Sequence, residues 1–223
     1  MIPGDLLDGH GLKPGSGTFA EGGRIYAALL GIRSESEGYV DVIPLSGVYI
    51  PRPRDVIVGK VIDAGASHWL VDINAPYPAP LHATETPWRV EFGDTERYLR
   101  VGEAILAEVL TVDETKRIQL GMTERDFGRL KGGQILEISH AKVPRLIGKG
   151  GSMIAMIRDM TRARMFVGQN GRVWVDGDPE AVKHVAHIVH LIEEKSLMAG
   201  LTDLVREYLE AAYGRRAPDA RGE

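Results

Sequence analysis

The stretch RLIGKGGSMIAMI, residues 145–157, places three glycines around one lysine. The apolar pair Leu146 and Ile147 precedes the glycines, and a run rich in Met and Ile follows them. Glycine gives the backbone conformations that other residues avoid, and it leaves room for a ligand to approach closely. Lysine adds a positive charge. The stretch therefore predicts a turn that binds a negatively charged group.

Both flanks of this turn are predicted to be helical. The segment KVPRLI, residues 142–147, is a short helix with a proline near its first turn. A second helix is predicted from Ser152, which we place at its cap, to about Thr161. One face of this helix is apolar at helical spacing, with Met153, Met156, Ile157 and Met160. Free amide groups and the dipole at its start favour an anion in the turn.

The chain after residue 127 alternates strands and helices around the turn. GQILEIS is predicted as a strand, and RMFVG and RVWVDG as two strands joined by a tight turn at QNG. A long helix begins with an Asp178 cap and Pro179 at its first position. Gly200 interrupts it, and a last helix ends at Gly214. We expect the tail, residues 215–223, to be frayed.

The first half of the chain is predicted to be rich in strands. RIYAALLGI and YVDVIPLSGVYI are β-rich runs, and KPGSGTFAEGG has the Gly and Pro spacing of a loop. PRPRD, residues 51–55, indicates a domain boundary, because proline removes a donor and restricts its predecessor. Five strands follow: VIVGKVIDA, HWLVDI, PAPLHA, AILAEVLTVD and RIQLGMT. Short strands without intervening helices predict a small barrel, with a long insertion at residues 84–102.

Composition narrows the classes of protein. The 223 residues contain no cysteine, which excludes disulfides, zinc ribbons and thiol nucleophiles. We expect no signal peptide, and no run reaches the roughly 18 apolar residues of a membrane span. The net charge of -4 argues against a wholly basic nucleic-acid binder. Residues 131–172, however, are locally basic, with Lys131, Lys142, Arg145, Lys149, Arg158, Arg162, Arg164 and Arg172 against Glu137 and Asp159.

These motifs together resemble one family. LIGKGGSMIAMI is similar to the signature of the KH domain, whose GxxG loop binds about four single-stranded nucleotides. The barrel resembles an S1 domain, an RNA-binding barrel of the OB type. PGD, GTFAEGGRIYAALLG and HWLVDINAPYPAPL are similar to segments of the RNA-binding cap subunit of the archaeal exosome. The resemblance covers nearly the whole chain, up to about residue 214.

The resemblance implies a fold and a function. The fold class is multidomain, β-rich plus α+β: an N-terminal β domain (1–52), an S1 barrel (53–126) and a type I KH domain with an extra C-terminal helix (127–223). The function implied is non-catalytic: three copies sit on a ring of RNase PH-like subunits, capture single-stranded RNA and feed it to the ring. That ring degrades RNA 3′ to 5′ with phosphate, or adds tails. We expect a cytoplasmic protein without a cofactor or a membrane partner.

The predicted RNA-binding residues lie in two places. Around the glycine turn they are Arg145, Gly148, Lys149, Gly150, Gly151, Ser152 and Arg158. In the barrel, His68 and Tyr77 are candidates for stacking on bases, because small barrels bind single strands through aromatic side chains. Trp69 opens an apolar run, and we expect it in the core. No catalytic constellation is evident, and none is expected.

Several alternatives remain to be compared with this interpretation. A nucleotide P-loop is rejected, because no glycine stands five residues before Gly148. Polynucleotide phosphorylase does not fit, because it carries KH before S1, whereas S1 comes first here. The other exosome cap protein does not fit either, because it carries a zinc ribbon and this chain has no cysteine. The NusA elongation-factor family has S1 followed by two KH domains, and it stays the alternative. His184, His187 and His190, with Glu194 one turn beyond, would suit a metal-dependent hydrolase, but we expect them to be structural and to hold no metal.

Overall fold

Two compact units make up the chain. The computed structural model describes residues 1–7, 11–36, 38–45, 47–123, 126–196 and 198–214. The units are Met1–Val48 and Tyr49–Glu223. The predicted tail, 215–223, lies outside the described residues. The division into three domains after residues 52 and 126 stays a prediction. Among the described helices, none is both long and apolar enough to cross a membrane.

The first unit is built from short strands. Those described are β1 (Lys13–Pro14), β2 (Thr18–Glu21), β3 (Arg24–Ala27), β4 (Gly31–Ser36) and β5 (Tyr39–Pro44). β5 pairs with β1 in parallel and with β4 antiparallel, while β2 and β3 form a hairpin. Among the described side chains of this unit, the buried core contains Leu7, Ile25, Ala27, Val40 and Val42. So small a core offers limited hydrophobic stabilisation.

The prediction of a loop at residues 13–23 is wrong, because this segment contains the strands β1 and β2. Its glycines serve close packing. A Cβ at Gly15 would lie 2.3 Å from Oδ1 of Asp41, and one at Gly17 would lie 2.5 Å from the carbonyl oxygen of Val42. The segment therefore lies directly against β5, where glycine permits close approach of two backbones.

The second unit begins with a closed five-stranded barrel. Its strands are β6 (Val56–Ala64), β7 (His68–Asp72), β8 (Ala79–His82), β9 (Ala104–Val112) and β10 (Ile118–Gly121). Neighbouring strands pair antiparallel, and a parallel contact between β10 and β8 closes the barrel. A further strand, β11 (Gly128–Leu130), pairs with β9. The structure confirms the predicted S1-type barrel and each of its five strands.

The insertion between β8 and β9 covers one side of the barrel core. Trp69 is fully buried there, as predicted, and its Nε1 donates to the carbonyl oxygen of Leu99 at 3.0 Å. Trp88 and Tyr98 of the insertion stack at 5.6 Å. Tyr49 joins the same core, and its hydroxyl donates to Asp55 at 2.7 Å. Burial and this carboxylate raise the pKa of the Tyr49 hydroxyl, so it stays protonated.

The remaining elements form the predicted type I KH arrangement. They are β12 (Gln134–Glu137), α1 (Val143–Ile147), α2 (Ser152–Thr161), β13 (Arg164–Val167), β14 (Arg172–Asp176), α3 (Pro179–Lys195) and the additional α4 (Leu201–Tyr213). The antiparallel sheet has the order β12-β14-β13. Met153 and Ile157 are buried, and Met156 and Met160 pack beside them, which confirms the predicted apolar face of α2. Asp178 occupies the predicted cap position of α3, but its side chain forms no capping hydrogen bond.

The KH sheet also packs on the barrel. Trp174 of β14 is buried together with Val58 of β6 and Leu106 of β9, and Ile135 and Phe166 pack around them. The helices therefore cover one face of this sheet, and the barrel covers the other.

Asn170, at the tip of the β13–β14 hairpin, bonds to the barrel. Its side chain is fully buried, and Nδ2 donates to the carbonyl oxygens of Val58 and Ile73, each at 2.9 Å. Oδ1 accepts from the amide of Val58 at 3.3 Å, and the side chain of Asn74 donates to the carbonyl of Asn170 at 2.9 Å. The QNG segment was predicted only as a tight turn, but its asparagine also holds the KH part on the barrel.

An ion pair adds to this contact. Nη2 of Arg172 lies 2.7 Å from Oδ2 of Asp72 on β7, and Nε lies 3.4 Å from Glu137. Burial acts to raise the pKa of Asp72, but the hydrogen bonds from Arg172 and the Asn74 amide, together with the charges of Arg172 and Lys60, outweigh it and lower the pKa. The stabilisation is therefore present above the unfolded pKa and is lost as the pH falls through the lower folded value.

Candidate nucleic-acid interface

The glycine turn, residues 148–151, connects α1 to α2. Gly148 follows the last residue of α1 and has φ of 76° and ψ of 172°. Residues Lys149–Gly151 form one 3-10 turn, and α2 begins at Ser152. The cap of α2 is Gly151 in a left-handed conformation, so the predicted cap role of Ser152 is wrong. Ser152 is the first helical residue and is exposed.

Glycine is required at the three positions of the turn for different structural reasons. A Cβ at Gly148 would lie 2.7 Å from the Cβ of Met153, so the two helices meet closely there. Gly150 and Gly151 have φ of +60° and +80°, which favours glycine, yet a Cβ at either would meet no atom within 4 Å. Open space beside a glycine backbone is what a ligand needs for close approach. The turn therefore presents bare backbone at the start of a ten-residue helix.

Positive charge remains available beside the turn. Arg145 and Lys149 are exposed, and within the described residues neither side chain forms an ion pair or a hydrogen bond. The helix dipole of α2 adds partial positive charge at the same end. An anion such as a phosphate oxygen thus meets a helix start, free cations and accessible backbone in one place.

The predicted basic cluster is smaller than its sequence suggests. Four of its eight cations have protein partners, and these pairs are Lys142–Glu193, Arg158–Met165 carbonyl, Arg164–Asp176 and Arg172 with Asp72 and Glu137. Arg158 was predicted to bind RNA, but its guanidinium donates to the backbone of β13. RNA contact by Arg158 stays a prediction. In the described part of the chain, the unpaired members are Lys131, Arg145, Lys149 and Arg162.

An apolar groove lies directly beside the turn. Val143, Pro144 and Ile147 of α1 line it together with Gly148 of the turn, and its volume is about 350 Å³. His140 and Gln169 also line it. The groove can hold a flat apolar ring while the adjacent turn holds a phosphate. Sequence analysis missed His140 and Gln169, since only the fold brings the hairpin tip beside α1.

The predicted aromatic contacts in the barrel are separate from the turn in sequence. His68, at the start of β7, is half-buried, and its ring lies 5.6 Å from that of His82 on β8. Tyr77 is 63% exposed and stays a candidate for stacking. Phe92, at 86% exposure, is a further candidate that sequence analysis missed. RNA binding by His68 stays a prediction.

The histidine row of α3 has three different environments. Nδ1 of His184 lies 2.7 Å from the hydroxyl of Tyr208 on α4, and the ring of His187 lies 4.6 Å from the ring of Tyr208. His190 lies 3.3 Å from Glu194 on the outer side of the helix. The described residues include no group of three acidic or histidine side chains arranged to hold a metal ion. Two of the three histidines therefore help pack α4 on α3.

Comparisons with known proteins agree with this geometry. Residues 133–191 match the KH domain family, and the match includes the glycine turn. The exosome complex component Rrp4 of Picrophilus torridus is 40% identical over 214 residues, which cover 96% of this chain and 93% of that protein. The Rrp4 proteins of Methanosarcina mazei (42%; 94% and 81% covered) and Thermoplasma acidophilum (40%; 97% and 92%) are similarly close.

A solved structure supports the same relation. The crystal structure of a protein described as an exosome complex RNA-binding protein superposes with a TM-score of 0.67 at 32% identity. The superposition covers 74% of this chain and 97% of that one. These relatives give no support to the elongation-factor alternative.

Proposed function

Since the chain belongs to the family of the exosome complex component Rrp4, we propose that it captures single-stranded RNA and delivers it to a phosphorolytic ring of RNase PH-like subunits. The ring would then degrade the strand from its 3′ end or extend it. The observation that carries the proposal is the glycine turn, where unpaired cations and open backbone lie beside an apolar groove. As in the cap proteins that the sequence resembles, three copies would share one ring in the cytoplasm.

In this proposal the turn binds a phosphate of the strand and the groove binds a base. A phosphate fits at the start of α2, where Gly150 and Gly151 leave the backbone accessible. A base attached to the same backbone would reach the groove beside α1, whose wall is aliphatic. Arg145 and Lys149 contribute charge without being held by other side chains. Such a site favours single strands, because bases in a duplex are stacked and out of reach.

The first unit supplies a surface for the ring. Its large exposed apolar side chains are Met1, Ile2, Leu6, Phe19, Leu29, Leu30, Ile32, Tyr39 and Val48. We propose that these side chains contribute to a protein-binding surface, because exposed apolar residues that adjoin one another mark such sites. The described core of the unit is small, and docking would add apolar burial to it.

Deleting residues 1–48 should abolish association with the ring and leave RNA binding in place. The cut spares Tyr49, which packs in the barrel core. Co-purification of tagged chain with native ring subunits measures the first effect, and RNA affinity measures the second. Leu30→Asp should weaken ring association in the full chain, whereas Met198→Asp, at a similarly exposed residue between α3 and α4, should not. A deleted chain that still joins the ring would contradict the docking proposal.

The purified chain alone should leave RNA intact, with or without phosphate and divalent metal. The described residues include no metal-binding group of side chains, and the adjacent groove is lined by His140 but, among those residues, by no carboxylate, so we expect the turn to contribute binding rather than chemistry. Added to the ring, the chain should speed degradation most at low RNA concentration, where capture limits the rate. Cleavage that follows this chain through purification in the absence of ring subunits would refute the non-catalytic role.

A further inference from the structure

A cleft in the second unit has no role in the proposal so far. It lies between the barrel and the KH sheet and has a volume of about 690 Å³. Lys60 of β6, Ala104 of β9, Lys131 after β11 and Trp174 of β14 mark its walls. Ligand pockets span roughly 300–1,000 Å³, so the cleft is large enough for a small group or for a segment of a polymer. The charges of the lining residues indicate which of these two ligands the cleft suits.

Every described carboxylate that lines the cleft is paired with an arginine. Asp72 and Glu137 contact Arg172 at 2.7 and 3.4 Å, and Glu103 contacts Arg129 at 3.1 Å. Arg172 is nearly buried, so its position is fixed by the fold. The acidic side chains therefore have partners already and do not repel an anion as free carboxylates would.

Two lysines of the cleft are not paired in this way. Lys60 and Lys131 are exposed, and within the described residues neither side chain forms a hydrogen bond or a close ion pair. Lys60 acts on Asp72 only through its charge. Four basic and three acidic side chains of the described residues line the cleft, which leaves one positive charge in excess.

The turn between β11 and β12 adds backbone donors to this charge. In the described part of the chain, the amides of Lys131, Gly132 and Gly133 donate to no other backbone group. Gly132 and Gly133 both have φ of +70°, and successive amides in such turns form concave anion sites. The turn is held in place, because the carbonyl oxygen of Gly132 accepts a hydrogen bond from Nε1 of Trp174 at 2.9 Å.

We propose that this cleft is a second phosphate site, which takes a backbone phosphate of a longer RNA strand already held at the glycine turn. The inference rests on the proposed function for the presence of RNA. The cleft suits the backbone rather than a base, since the one aromatic ring among its described lining residues, Trp174, is only 2% exposed and offers no stacking face. Lysines and amides recognise phosphate without regard to sequence.

The test compares RNA of two lengths on the full chain. The double variant Lys60→Gln/Lys131→Gln should bind an RNA of about five nucleotides as the unchanged protein does, because a KH site spans about four. An RNA of about 20 nucleotides should bind the variant about 10-fold more weakly, with a log–log salt slope smaller by roughly 0.7 because one phosphate is no longer neutralised. The matched control is Lys116→Gln. Lys116 is exposed and follows the C-terminal end of β9, whereas the cleft lies at the N-terminal end of that strand, at Ala104.

The two proposals fail in different ways. If the unchanged protein binds neither RNA, the proposed function is wrong. If it binds both, and the double variant loses no affinity or slope for the long RNA, the cleft proposal is wrong. Amide NMR shifts of Gly132 and Gly133 separate the sources of phosphate. Shifts with long RNA support the proposal, whereas shifts with inorganic phosphate alone would assign the cleft to the free ion and overturn it.

Discussion

Replacing Lys149 and Gly150 with aspartate is expected to weaken the binding of single-stranded RNA by about 100-fold. The Lys149 contact to a phosphate is lost, which costs ~1.5–3 kcal/mol for a hydrogen bond to a charged group, and two carboxylates then lie beside the negatively charged strand. Lys149 is exposed and unpaired within the described residues, so its replacement breaks no described ion pair or hydrogen bond. A Cβ at Gly150 meets no atom within 4 Å, and aspartate is among the residues that best tolerate positive φ. Fluorescence anisotropy with a short RNA measures the affinity, and circular dichroism checks the fold.

A matched control separates the site from net charge. Lys116→Asp with Gly22→Asp makes the same change in charge, and Gly22 also has positive φ, +57°, and open space. The control should retain its affinity within a small factor. The salt slope of the test variant should fall by roughly 0.7 for each phosphate that the protein no longer neutralises. Unchanged affinity and slope in the test variant, or an equal loss in the control, would remove the glycine turn from the RNA site.

Asn170→Ala is expected to lower the free energy of unfolding by about 3 kcal/mol, because it leaves buried backbone groups unpaired. Those groups are the amide and carbonyl of Val58 and the carbonyl of Ile73, which the Asn170 side chain satisfies now. Denaturant unfolding followed by tryptophan fluorescence measures the change.

The adjacent residue provides the control. Gln169 is exposed, and its contact with the barrel runs through its own amide, which donates to the carbonyl of Val56 at 2.9 Å. Gln169→Ala keeps that amide and should change stability by less than ~0.5 kcal/mol, as surface substitutions usually do. If both variants lose the same stability, or if Asn170→Ala loses less than ~1 kcal/mol, the Asn170 side chain does not hold the KH part on the barrel.

Local patterns predicted the elements of the second unit well. The strands of the barrel and the start of α2 follow from apolar spacing and from glycine and proline, which act within a few residues. The same local logic failed at residues 13–23. There the glycines allow a strand to pack on β5, and a partner more than 20 residues away decides their role.

The features that the sequence did not predict depend on partners that are distant in sequence. Arg172 was counted in the local positive charge of residues 131–172, but the fold places it beside Asp72, 100 residues earlier. Asn170 bonds to a strand 112 residues away, and nothing in QNG distinguishes such an asparagine from one that only makes a turn. The glycine turn was predictable because helix start, glycine and lysine lie together in the sequence. The cleft was not, because its walls come from separate segments.

The open backbone at Gly150 and Gly151 bears on how a strand moves. A site that grips through charge and amides meets nearly the same group at every nucleotide, because the phosphate repeats regardless of the base. Contacts of this electrostatic kind let a protein slide along a nucleic acid. No single register is then strongly preferred, and the strand can advance one nucleotide at a time over low barriers. In the proposed function, a holder of this type would let the RNA advance as it is shortened, with no sequence-specific contact to break at each step.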